Sequence, residues 1–211
     1  MESSLAHTLL FLAIFFAIGA SLAVSGFYLD FPTGWLGAAG LLGWTFVIRG
    51  HWTRIEKESE GEPSPPARAL WVQCAGYSLL LGHLILALMI TGENLRLGNG
   101  NALAIDSWIM IAAALTTDFI FKRDKKTEDE RDKEISAKGV RASYRTLIFL
   151  IVSLSFFLAF APPHYKSDLT HFVIGNILIA LILSSYLSQL VSRLHSYSRD
   201  KAFLSVEENM G

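Results

Sequence analysis

The sequence predicts an all-α membrane protein, a polytopic bundle of six transmembrane helices in three hairpins with a cytoplasmic helical extension of the fifth helix. Three observations carry that prediction. Hydrophobic residues make up 52% of the 211 and charged residues only 18%, whereas a soluble domain uses roughly a quarter charged residues to coat its surface. The mean hydropathy is +0.39, and the apolar residues are gathered into long blocks rather than scattered. The basic residues fall almost wholly between alternate blocks. This composition argues against a soluble single domain and a disordered chain. One Cys argues against a disulfide scaffold, and a net charge of -1 against a basic nucleic-acid binder.

A spanning helix needs about 20 mostly apolar residues, because the hydrocarbon core is about 30 Å thick and a helix rises about 1.5 Å per residue. Six windows qualify: Leu5 to Tyr28, Pro32 to Ile48, Ala69 to Thr91, Ala102 to Phe121, Tyr144 to Ala161 and Leu169 to Ser192. The first is read as an uncleaved helix. Ala23-Val24-Ser25 offers small residues to a signal peptidase, but Met1-Glu2-Ser3-Ser4 lacks the basic start of a signal peptide and the apolar stretch exceeds the usual signal core. The second window is short and carries Gly34, Gly37, Gly40 and Gly43. In lipid such residues let neighbouring helices approach closely, so it reads as a packed helix whose small face serves a neighbour or another copy of the chain. The third and sixth are clear from length and from their Leu and Ile content, the fourth is interrupted by Asp106 and Asp118, and Pro162-Pro163 stops the fifth.

Lys and Arg are retained on the cytoplasmic side of a membrane. With six spans, 16 of the 18 basic residues fall on one side and only Arg96 and Lys166 on the other. Both termini are then cytoplasmic. Five spans with the N-terminus outside, the second window not crossing, is the alternative. Tyr28, Phe31, Trp35, Trp52, Trp71, Trp108 and Tyr144 fall near the expected membrane interfaces.

The domain plan follows. Residues 1–50 form the first hairpin, 51–68 an acidic, proline-rich linker, 69–192 a four-helix unit with a cytoplasmic helix over 127–145, and 193–211 a cytoplasmic tail. Thr127-Glu128-Asp129-Glu130 fits a capping box, and Asp129 with Lys133 and Glu134 with Lys138 are acid-to-base pairs in the favoured i, i+4 order. No Pro interrupts from Thr127 to Ala161, which predicts one helix of about 35 residues that projects from the membrane and continues as the fifth span. Ile135, Gly139, Ala142 and Thr146 form one stripe of it, able to pack on another helix.

Asp129-Glu130-Arg131-Asp132, followed by Glu134-Ile135 and a small and basic stretch leading into an apolar helix, resembles the cytoplasmic segment of a family of small bacterial membrane proteins whose role is not established. The resemblance covers the chain from the fourth span onward. It implies a bacterial inner-membrane protein and little chemistry.

Ionisable groups inside spans are costly and are functional candidates by default. His83, Asp106 and Asn176 sit at similar outer depth on the third, fourth and sixth spans, with His171 at the outer rim. They read either as a cavity that passes a proton or holds a cation, or as a neutral hydrogen-bonded His and an Asp that reaches the headgroups. Asp118 lies near the inner end of the fourth span, at the depth of Gln73 and Gln189, with Lys122 and Arg123 as its nearest compensators. Structural pairing is the reading preferred there. Lys122, Arg123, Lys125 and Lys126 suit anionic lipid headgroups, and are also what any topology signal looks like. The acidic turn with Glu130, Arg131, Asp132 and Glu134 is either a well-capped helix start or a docking surface for a protein partner.

No zinc spacing, His-Glu-x-x-His, Gly-x-Ser-x-Gly or phosphate loop occurs, and Cys74 is alone. The expectation is therefore a non-enzymatic inner-membrane protein without metal or cofactor. Its partners are lipids, a cytoplasmic or membrane protein and a second copy, with no nucleic acid. A small solute or proton-coupled transporter using His83, Asp106 and Asn176 is the alternative.

Overall fold

The computed structural model describes residues 5–29, 31–55, 65–91, 102–123, 130–160, 162 and 171–210. These form six helices: α1 (Leu5–Leu29), α2 (Thr33–Ile55), α3 (Pro65–Thr91), α4 (Ala102–Arg123), α5 (Glu130–Phe160) and α6 (His171–Met210). Among the described residues, four of them, α1, α3, α5 and α6, are long and apolar enough to cross a membrane. The glycines and polar residues of α2 keep that helix less apolar. The predicted cap at Thr127, the linker around Glu56 to Ser64 and the Gly98 to Asn101 turn lie outside the described residues.

The packing gives each helix a direction. Along α1 and α3, Phe11 meets Trp71 edge to face at 4.9 Å, Ser78 Oγ donates to the Leu12 carbonyl at 2.7 Å, and Ala23 clusters with Ala87. Residue numbers rise together, so the two helices are parallel. They touch backbone to backbone: a Cβ on Gly19 would lie 1.9 Å from the Leu79 carbonyl oxygen, and one on Gly82 2.1 Å from that of Phe16. Along α2 and α4, Gly34 meets Asp106, Gly37 meets Met110, and Thr45 and Thr117 share a hydrogen bond of 3.5 Å. This pair is parallel too. The pairings of His83 with Ser107 and of Tyr77 with Asp118 run α3 and α4 in opposite directions. Likewise α6 is antiparallel to both α3 and α5, through Tyr77–Tyr186 and Leu84–Ala180 on one side and Asp132–Tyr197 and Thr146–Ser188 on the other. Direction therefore alternates from α1 to α6.

Expected hairpin partners are only partly neighbours. The main packing partner of α1 is α3 and that of α2 is α4, while α5 and α6 do pack on each other. A helix that is apolar all round carries no periodic stripe to choose its partner. Close-approach glycines make the choice through shape instead.

The core lies around α3, where Leu70, Cys74, Leu80 and Leu84 are buried with Met110 and Leu190. The outer surfaces of α1 and α5 are apolar and exposed; Phe149, Phe156 and Phe160 are 69%, 65% and 72% exposed. Surface of that kind in contiguous patches suits lipid rather than water. Tyr28, Trp35 and Trp108 are also exposed, near helix ends.

α5 follows the predicted projecting helix over 31 residues, about 46 Å. Its stripe packs as anticipated. Ile135 and Gly139 are buried, a Cβ on Gly139 would lie 2.6 Å from Arg193 Cγ, and the hydroxyls of Ser143 and Ser185 are 2.7 Å apart. The stretch after the sixth window is helical to Met210, making α6 a 40-residue helix of about 60 Å. No Pro or Gly occurs between Asn176 and Met210 to stop it.

Candidate functional site

Three polar groupings stand out against the apolar helices. The first lies where α2 and α4 begin. Asp106, at the second turn of α4, and His83 of α3 are both fully buried, at 0% exposure. Thr33, the first residue of α2, donates its hydroxyl to Asp106 Oδ2 at 3.2 Å. Gly34 lets the two helices close: a Cβ there would lie 2.3 Å from the Asp106 Cα. The Asp106 carboxylate thus faces the α2 N-terminus, whose unpaired amides favour negative charge. Ser107 Oγ and His83 Nδ1 share a hydrogen bond of 3.3 Å, and the carboxylate is within Coulombic reach of the ring. His83 Nε2 and Asp106 Oδ1 have no hydrogen-bond partner among the described residues. Of the two readings of the sequence, one grouped His83, Asp106 and Asn176 and the other had a hydrogen-bonded His83 with Asp106 reaching the headgroups. His83 is hydrogen-bonded across helices to Ser107, and Asp106, next to that serine, is buried rather than at the headgroups. Asn176 is half-buried on α6, and no described hydrogen bond ties it to either; the His171 side chain lies outside the described residues.

The second grouping is Asp118. Gln73 Nε2 donates to its Oδ1 at 2.9 Å, while the hydroxyls of Tyr77 and Tyr186 donate to Oδ2 at 2.6 and 3.3 Å. Three donors from α3 and α6 satisfy a half-buried carboxylate and tie α4 to both helices. Structural pairing was the expected role, with Lys122 and Arg123 as the expected partners; Gln73, which the sequence places only at a similar depth, is one of the side chains that bond it. The two tyrosines were missed. Gln73 and Tyr77 are four residues apart and so share one face of α3, which was the available signal. The side chains of Lys122 and Arg123, like Lys125 and Lys126 altogether, lie outside the described residues. Between the two aspartates α4 presents buried Met110, Ala113 and Ala114, so no polar path joins them along that helix.

The third grouping is the charged first half of α5. Glu130, Arg131 and Glu134 are exposed, whereas Asp132 is half-buried and accepts the Tyr197 hydroxyl. Glu134 pairs with Lys138 at 2.9 Å on the outer face. That ammonium holds the Glu134 carboxyl below its ordinary range, with a smaller push from Arg141. One face of α5 is therefore zipped to α6 and the other offers alternating charge to solvent. The serines behave as expected of intramembrane hydroxyls: Ser153 and Ser184 donate to the carbonyls one turn back, and Ser185 bonds Ser143. Cys74 is buried, and no cluster of His, Cys, Asp and Glu suited to a metal occurs among the described residues.

Comparison with protein-family models, with curated proteins and with solved structures gives no match.

Proposed function

We propose that this is a six-span bacterial inner-membrane protein, both termini cytoplasmic, that acts without catalysis by presenting the exposed face of α5 to a protein partner. The parallel packing of α1 and α3 supports six spans. In the five-span alternative α2 does not cross, and α1 and α3 then traverse the membrane in opposite directions. Alternating directions also bring the start of α5 and the end of α6 to one end of the bundle, together with the ends of α2 and α4, and these four segments between them carry most of the basic residues. This end is assigned to the cytoplasm. Lys122, Arg123, Lys125 and Lys126 would there meet anionic headgroups, each contributing about 1 kcal/mol. The Asp129 to Glu134 resemblance supports the bacterial inner membrane.

The observation that carries the docking role is the division of α5 into two faces. Ile135 and Gly139 are buried against α6 while Glu130, Arg131, Glu134 and Lys138 stay exposed on a helix braced along its length. Membrane insertion requires the basic residues but not the acidic ones. A braced helix also loses little entropy when a partner binds. The transporter reading receives less support, because His83 and Asp106 are fully buried and Asn176 is not joined to them.

Photo-cross-linkers placed at Arg131, Glu134 and Lys138 in cells test this directly, with Phe149 as the lipid-facing control. One common adduct is expected from the three positions and none from Phe149, and charge reversal at Glu130 and Glu134 should abolish it without changing membrane insertion. An adduct that survives charge reversal would overturn the assignment.

A further inference from the structure

The outer pair, apart from the α5 surface, has chemistry of its own. A lone buried carboxylate is expensive, and so is a lone buried imidazolium, each by several kcal/mol. Two such groups placed together reach neutrality by holding one proton between them, as carboxylic acid with imidazole or carboxylate with imidazolium. His83 and Asp106 come near that description: the carboxylate is within Coulombic reach of the ring, with no direct hydrogen bond between them. Both are 0% exposed, each has one hydrogen bond to a hydroxyl, and each has one buried polar atom unpartnered among the described residues, Nε2 and Oδ1.

The surroundings leave the exchange to these two groups. Around them α1 contributes Phe16, Gly19 and Ala23, α2 contributes Thr33, Gly34 and Gly37, and α6 approaches through Ala180. None of these is titratable, and among the described residues Asp106 is the one charged group that acts on the His83 ring. Burial also selects the ligand. A solute needs the helices to part, whereas a proton needs only a hydroxyl or a single water to relay it. Thr33, at the first turn of α2 with its hydroxyl on Asp106, is placed for that relay.

We infer that His83 and Asp106 form a single proton-binding site, exchanging with the end of the bundle where α2 and α4 begin. The step is a simple transfer. A hydronium ion gives its proton to the His83–Asp106 pair and leaves as water, so the pair passes from one net negative charge to neutral, with no redox partner needed. The neutral pair also removes the net charge that Asp106 otherwise presents to the start of α2, which links protonation to the α2–α4 contact.

Nitrogen-15 NMR of histidine in the full chain, in lipid nanodiscs and titrated from pH 4 to 9, reads the site, with H83Q assigning the ring signal. The wild type should show His83 changing protonation within that range. In D106N, which keeps the side-chain shape, the midpoint should move down by about one pH unit or more, because the charge that favours the imidazolium is gone. T33V, which keeps Asp106, should retain a midpoint near wild type while slowing exchange. A His83 signal that does not titrate, or that titrates identically in D106N, would overturn the proposal. Should D106N fail to assemble, S107A serves instead: it leaves the Asp106 carboxylate in place, and loss of titration there would equally contradict a shared proton.

Discussion

At the scale of single residues, glycine decides which helices meet. Gly19 and Gly82 carry α1 against α3, and Gly34 carries α2 against Asp106, each at a distance that excludes a side chain. Gly40 and Gly43 belong to the same run in the sequence but have nothing within 4 Å. Replacing Gly19 with Ala therefore forces a methyl into the Leu79 backbone and should cost about 1–3 kcal/mol or more. The Gly40→Ala change should be neutral or slightly stabilising, since Ala favours helix. Unfolding midpoints in mixed micelles compare them, and equal losses would contradict the packing. Close approach on α2 was legible in the sequence. Which two of its four glycines approach was not, because nothing local records the rotation of one apolar helix against another. The same ignorance of rotation hid Thr33, Ser107 and the two tyrosines around Asp118, although the depths of His83, Asp106 and Asp118 were readable by counting along each helix.

At the scale of elements, α5 and α6 form the most readable pair. The Ile135, Gly139, Ala142 and Thr146 stripe is visible because this half of α5 is amphipathic and polar residues mark its other face. The farther half of α5 is apolar all round, and so is most of α1; there the sequence indicates a span and no partner. The sixth window marks the apolar part of α6 and leaves its helical continuation unmarked, although neither Pro nor Gly interrupts the chain from Asn176 to Met210. The pairing predicts a specific cross-link. With the hydroxyls of Ser143 and Ser185 2.7 Å apart, cysteines at both positions, in a background with Cys74→Ala, should form an intramolecular disulfide within the usual range of Cβ separations. Both thiols should then resist maleimide until reduced. Free reactivity under oxidising conditions would show that the two helices are not paired at this level.

Across the whole molecule, the low charge seen in the sequence is a matter of distribution. Sixteen of the 18 basic residues, and six of the 19 acidic ones between Asp124 and Glu134, lie in stretches of sequence that the six-span reading assigns to one side. That side carries the proposed docking face of α5, and the opposite end of the bundle the buried His83 and Asp106. The start of α5 is cytoplasmic in both the six-span and the five-span arrangement, and the two topologies differ in where the first helix begins. The decisive measurement is the sidedness of a single cysteine at Ser3 in a Cys74→Ala background, read with a membrane-impermeant maleimide in intact cells, with Asn99→Cys as the outside control and Glu58→Cys as the inside control. Six spans predict that Ser3→Cys stays unlabelled with Glu58→Cys until the inner membrane is opened. Labelling of Ser3→Cys in intact cells, alongside Asn99→Cys, would contradict it.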